Sequence, residues 1–198
     1  MVTKSTMIRF IQLLPQVSLK GDFLLKDLPG SGRRIDVLCR DLAACYSWGP
    51  ITWPREDIEL VAIIADTLLL TFSYPAAATP QSEAQWGAVI KHALEGQSPD
   101  YVQISEGTLR GAIERFNKPP TSKLWVLEEG GRPMSSIWIE KSITKYSFML
   151  GNHKGFNSQT ESLMSKYELP RVSLGDISYL SSHCIASILS EFEKAREH

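Results

Sequence analysis

Residues 146–189 read YSFMLGNHKGFNSQTESLMSKYELPRVSLGDISYLSSHCIASIL, and the order of patterns in this run decides the fold. Tyr146–Leu150 is an apolar run of strand length that breaks into Gly151-Asn152-His153-Lys154-Gly155. A helical segment follows over Gln159–Tyr167 and is stopped by Pro170. Val172–Leu174 is a second, very short strand, and it breaks at Gly175-Asp176. From about Leu180 a last helix carries Leu180, Cys184, Ile188 and Phe192 on one stripe, with Ser178 as its expected N-cap. Strand, helix, strand, helix in this order predicts an α/β layered fold with a mainly parallel sheet.

The rest of the chain extends that pattern. Met7–Leu14 is β-rich and predicts a first strand, followed by a Gly-, Pro- and Asp-rich loop over Ser18–Arg33. Ile35, Leu38, Leu42 and Tyr46 repeat at helical spacing, which predicts a helix over Ile35–Tyr46. Ile58–Ala65 and Leu68–Phe72 are apolar strands joined at Asp66-Thr67, most simply a hairpin. Ser82–Glu95, closed by Gly96, and Thr108–Phe116 read as helices. Leu124–Leu127 reads as a buried strand, with Ile137–Ile139 pairing near it. With 198 residues and no internal repeat, the reading is one domain over 1–198.

At 43% hydrophobic and 22% charged residues, the chain can bury a core without a disulfide or metal staple. Its longest nearly apolar stretch, Leu60–Phe72, falls short of the roughly 20 residues of a bilayer-spanning helix. No signal peptide or anchor is expected. Cys39, Cys45 and Cys184 form no CxxC pair, and the four histidines show no metal-ligand spacing. The expectations are a cytoplasmic protein with no membrane partner and no metal. The net charge of −1 is unevenly spread. Residues 1–40 hold 7 Lys/Arg against 3 Asp/Glu, whereas residues 41–109 hold 2 against 9. A basic N-terminal segment of that kind can make a local positive patch.

Several common sites are absent: no GxGxxG follows a strand, and there is no P-loop, HExxH or GxSxG. What remains is two glycine-bearing loops, Gly151–Gly155 and Gly175-Asp176, at the carboxyl ends of expected parallel strands. That is where α/β sheets place ligands.

Phe148–Glu161 followed by Arg171–Leu189 resembles the C-terminal signature of the SPOUT superfamily, the trefoil-knotted RNA methyltransferases. Leu25–Leu42 (LKDLPGSGRRIDVLCRDL) resembles the N-terminal signature of the archaeal tRNA pseudouridine-54 N(1)-methyltransferases. Pro29, Gly30, Arg34, Asp36, Leu38, Cys39, Arg40, Gly151, His153, Ser173, Leu174, His183, Cys184 and Ile185 carry the likeness. The chain departs at Gln103-Ile104, where relatives have a pair of arginines, at Asn152, and at Gly175-Asp176 in place of Ser-Pro.

The resemblance implies a C-terminal trefoil knot, a homodimer with pockets near the interface, and a tRNA substrate. It also implies S-adenosylmethionine contacts at Leu127, Gly151, the loop Leu174, Gly175, Asp176, Ile177, Ser178 and Tyr179, and Cys184. Methylating a ring nitrogen requires removal of its proton. Asp36, one turn from both Arg33 and Arg40 if the helix begins near Arg33, is the expected carboxylate, with Arg40 beside it. Arg33, Arg34 and Arg40 are the expected RNA contacts. Left open are a related SPOUT enzyme acting on ribosomal RNA or another nucleotide, and a knotted RNA-binding domain without turnover.

Overall fold

The computed structural model describes residues 6–50, 52–139, 142–151 and 155–196, so Asn152, His153 and Lys154 of the first glycine loop lie outside it. Strand β1 (Met7–Leu14) lies mid-sheet, which explains why its pattern is nearly continuous rather than alternating. Ile8, Phe10 and Leu14 enter one core layer and Ile11 the other. Helix α1 (Ile35–Tyr46) buries the predicted stripe, and the Tyr46 hydroxyl donates to the carbonyls of Ile58 and Phe72. Strands β2 (Ile58–Ile64) and β3 (Leu68–Phe72) pair as an antiparallel hairpin. Ala65 and Asp66 both take φ 49° in its turn, the left-handed pair of a type I′ connection, closed by Thr67 N–H to Ile64 O at 3.0 Å.

Helix α2 (Glu83–Leu94) starts on Ser82, whose side chain accepts from the amide of Gln85, and stops before Gly96 at φ 86°. Strand β4 (Val102–Glu106) then pairs with β3, an element the sequence reading lacks. It forms one edge of the sheet and buries only Val102, so it shows no apolar alternation to read. Helix α3 (Leu109–Phe116) is capped by Thr108 and leads into the long strand β5 (Ser122–Pro133). The expected strand Ile137–Ile139 is instead the end of a 3-10 helix, Met134–Ile139, because β5 is already paired on both sides.

Strand β6 (Lys145–Leu150), helix α4 (Ser158–Lys166), strand β7 (Arg171–Ser173) and helix α5 (Ser181–Arg196) complete the chain. Ser178 is not the cap of α5, since that helix opens three residues later at Ser181. The sheet runs β4-β3-β2-β1-β6-β5-β7, and from β2 to β7 every pairing is parallel. Helices α1, α2 and α5 pack on one face, α3 and α4 on the other. Phe192 of α5 anchors the first layer, edge-on to Trp53, Tyr146 and Phe148 at 5.5, 5.0 and 6.0 Å between centroids. Arg9 ties the second layer across three strands. It pairs with Glu59, donates to Ser147 Oγ at 3.2 Å and stacks 4.0 Å from the Phe116 ring centroid. Among the described residues, no helix is long and apolar enough to cross a membrane.

Candidate active site

A cavity of about 240 Å³ opens at the carboxyl edge of β5, β6 and β7. It is lined by Leu127–Glu129 at the irregularity within β5, by Leu150 and Gly151 at the end of β6, and by Leu174, Gly175, Ile177, Ser178 and Tyr179 after β7. The first turn of α5 closes the floor with Ser181 and Cys184. Of the residues expected to hold a cofactor, Leu127, Gly151, Leu174, Gly175, Ile177, Ser178, Tyr179 and Cys184 line this one cavity. Asp176 does not. The sequence reading missed Glu128, Glu129, Phe156 and Ser181, which also line it.

Local chemistry shapes the loop after β7. Ser173 Oγ accepts the amide of Gly175 and donates to its carbonyl, both at 2.9 Å, folding the backbone over its own strand end. Gly175 takes φ 137°, where side chains bearing a Cβ are strained, and a Cβ there would meet nothing within 4 Å. At Gly151 a Cβ would rest 3.5 Å from the Phe156 ring, so the space above that backbone is narrow but open. Beyond the loop, Ile177, Tyr179 and Leu180 are 67%, 48% and 53% exposed, an apolar run left bare beside the cavity.

Three carboxylates face the cavity, and their surroundings separate them. Glu128 and Glu161 both pair with Arg171, the latter at 2.6 Å. Glu129 has no arginine partner among the described residues, and a hydrogen bond from the Ser178 hydroxyl holds its carboxyl below the usual range. Burial pushes the Cys184 thiol up to about 12, so it stays neutral and acts as an apolar wall.

Behind the wall lies Asp41, a residue no sequence pattern flagged. Its side chain is fully buried between α1 and α5. Oδ1 accepts the Ser181 hydroxyl at 2.6 Å, while Oδ2 finds no partner among the described residues. Burial raises its carboxyl to about 7, against the opposing pulls of Ser181 and Arg40.

The N-terminal cluster differs from expectation. Helix α1 begins at Ile35, after Arg33 and Arg34 in left-handed backbone (φ 47° and 74°), so Arg33 is not one helical turn from Asp36. Asp36 is 2% exposed and gripped instead by Arg34, at 3.0 Å from Nε and Nη2, and by Arg40 at 2.7 Å. Both of its oxygens are committed, and it does not line the cavity. The structure therefore does not bring Asp36 and Arg40, the pair expected to be catalytic, to the loops that line the cavity. Arg33 and Arg34 remain exposed, with Arg40 partly so. Burial raises the neighbouring Cys39 thiol as well, which suits packing.

The cavity suits S-adenosylmethionine. Leu127, Leu150, Leu174 and Ile177 offer apolar surface to a flat purine, two glycines bare their backbone, and the acidic side suits a molecule carrying a sulfonium and an ammonium.

Comparison with known proteins agrees. Residues 7–196 match the model of a family described as "Putative SAM-dependent RNA methyltransferase". A curated relative from Methanococcoides burtonii, named tRNA (pseudouridine(54)-N(1))-methyltransferase, is 27% identical over 198 residues, covering 93% of this chain and 95% of its own. A Pyrococcus abyssi protein of the same name is 28% identical, covering 90% and 94%. Among solved structures, Archaeoglobus fulgidus Nep1 bound to S-adenosylhomocysteine aligns with a TM-score of 0.64 at 17% identity, over 98% of this chain and 99% of that one. That likeness shows the fold: the layered α/β architecture with a mainly parallel sheet is shared.

Proposed function

We propose that this chain, which belongs to the SAM-dependent RNA methyltransferase family it matches over residues 7–196, methylates ring nitrogen one of pseudouridine 54 in the T-loop of tRNA. One observation carries the reading. The loops expected from sequence to hold S-adenosylmethionine converge on a single cavity at the carboxyl edge of the sheet, in a chain that aligns end to end with relatives of that name. When bound, S-adenosylmethionine supplies an electrophilic methyl group on a positively charged sulfur.

The chain's own residues do the rest. Leu127, Leu150, Leu174 and Ile177 would hold the adenosyl group, with the backbone at Gly151 and Gly175 available to it. Orienting the ring nitrogen in line with the methyl group supplies much of the acceleration. Glu129, ionised and without an arginine partner among the described residues, takes the nitrogen's proton directly or through one water. Arg33, Arg34 and Arg40 hold the RNA backbone, with Asp36 fixing the last two in place.

Three further features belong to this reading. The exposed run Ile177, Tyr179 and Leu180 would be covered by a second copy, giving a homodimer with its sites at the interface. Strand β5 pairs with Val172 at Leu127, bulges away, and pairs with Val172 again at Arg132. A Cβ at Gly131 would fall 2.6 Å from the Val172 backbone, so glycine is needed where β5 closes on β7, and a knotted C-terminus belongs to this reading through the family. A cytoplasmic location accords with a tRNA substrate.

Methyl transfer to tRNA transcripts with and without prior pseudouridylation tests the function. Product only with the pseudouridylated transcript, mapped to position 54 by mass spectrometry, is the expected result. Equal methylation of both transcripts would refute it.

A further inference from the structure

A second and larger cavity, about 550 Å³, lies on the other side of the Gly155-Phe156 backbone, which walls both. It sits at the carboxyl ends of β1 and β2, between α3 and α4. Chain topology makes this a privileged place. From β1 the chain crosses through α1 on one face and enters β2, whereas from β6 it crosses through α4 on the opposite face to β7. Connections therefore diverge between the adjacent strands β1 and β6, and the cavity opens beside that point, over the ends of β1 and β2 and against Gly155 and Phe156 of the segment after β6, near the usual ligand position in open α/β sheets.

Its chemistry is of two kinds. The floor is apolar, from Leu13, Ile63, Leu109, Phe156 and Leu163. The rim carries Arg110 and Lys166, neither of which forms an ion pair among the described residues. The one carboxylate lining the cavity among the described residues, Asp66, accepts the amide of Leu109 at 2.6 Å and forms no salt bridge to either cation. Two cations without ion pairs over an apolar floor suit a ligand with a flat ring and an anionic tail. The volume lies within the roughly 300–1,000 Å³ of small-molecule pockets.

We propose that this cavity is a nucleotide subsite, taking the base and phosphate of one RNA residue that flanks the methylated one. The base lies against Phe156, Leu109 and Leu163, and its phosphate meets Arg110 and Lys166. The shared wall explains why a flanking residue is the occupant, since a nucleotide here sits one backbone thickness from the cofactor cavity. The source of the nucleotide rests on the RNA methyltransferase reading; the chemistry of the cavity does not.

The test titrates uridine 5′-monophosphate into the intact protein saturated with S-adenosylhomocysteine, following binding by NMR, with uridine and inorganic phosphate as separate probes. The nucleotide should bind in the presence of S-adenosylhomocysteine, and each half alone about tenfold more weakly or worse. Arg110→Ala with Lys166→Ala should weaken the nucleotide about tenfold and raise KM for tRNA, with S-adenosylhomocysteine affinity unchanged. Leu163→Trp, which fills the floor, should abolish nucleotide binding. Loss of nucleotide binding on adding S-adenosylhomocysteine would overturn the proposal, because both would then share one cavity. Phosphate binding as tightly as the nucleotide would also overturn it, leaving an anion site only, as would unchanged affinity in the double variant. Nucleotide binding that follows the expected pattern in a protein that fails to methylate tRNA would leave this subsite standing and refute the enzymatic reading.

Discussion

Among the described carboxyls, Asp41 is raised far from its ordinary range by burial. Its carboxyl is raised from an ordinary 3.8 to about 7, so the folded protein binds a proton there that the unfolded chain releases. An acid raised in this way stabilises nothing at neutral pH. Its cost is absent below about 4, grows as pH rises from 4 to 7, and is complete above 7. Asp41→Asn keeps an acceptor for Ser181 and removes the buried charge. The variant should therefore be more stable than the parent at pH 8, by up to about 4 kcal/mol, and nearly equal to it near pH 4. Urea denaturation at the two pH values checks this, and a parent that gains on the variant as pH rises would contradict it. Glu129 has the opposite bias, since Ser178 favours its ionised form. Glu129→Gln should lower kcat by about a hundredfold or more while S-adenosylhomocysteine affinity changes only a few-fold. Equal losses in both would make it a binding residue instead. Neither position was legible in sequence. Asp41 follows Arg40 in a mostly apolar helix and reads as its surface partner, and Glu129 is the second of two adjacent glutamates; only folding shows which one Arg171 takes.

The loop after β7 is the element most open to test. Its glycine at φ 137° has empty space where a Cβ would go, so Gly175→Ala adds strain without a clash. About 1–3 kcal/mol of backbone strain should reshape the loop. The expected result is cofactor affinity weakened about tenfold or more by calorimetry, with the melting temperature little changed because the loop is exposed. Unaltered affinity would mean the loop does not touch the ligand. Elements of this kind divide sharply in how far sequence reveals them. Strand β1, helix α1 and the hairpin of β2 and β3 were readable because both faces, or one full stripe, are buried and the pattern is dense. Strand β4 buries one residue of five, so its pairing with β3 defines it more than its composition does. The 3-10 turn at Met134–Ile139 is apolar for packing reasons and carries no periodicity that separates it from a strand. The loops of the cavity were found through glycine and resemblance, while the second cavity was invisible, because α3 and α4 meet around it from segments some fifty residues apart.

At the scale of the whole molecule, a chain of net charge −1 has no global attraction for a polyanion, so RNA must be held by local cations. The N-terminal arginines are the densest such group, but they are not equivalent. Arg33 is exposed and forms no ion pair among the described residues, so its charge faces solvent. Arg40 binds Asp36, which is 2% exposed and would lose one of its two guanidiniums on substitution. Arg33→Glu should therefore weaken tRNA binding with stability unchanged, and reduce the slope of log affinity against log salt by about 0.7–0.9. Arg40→Glu should weaken binding too, and in addition destabilise the fold by about 1–3 kcal/mol, because it places a second carboxylate beside a buried one. S-adenosylhomocysteine affinity should hold in both, since neither residue lines the cofactor cavity. Filter binding at two salt concentrations, with thermal melts run alongside, separates the effects. An Arg33→Glu protein with the parent's affinity and salt slope would place the RNA surface elsewhere, with Arg110 and Lys166 at the second cavity the next cations to substitute.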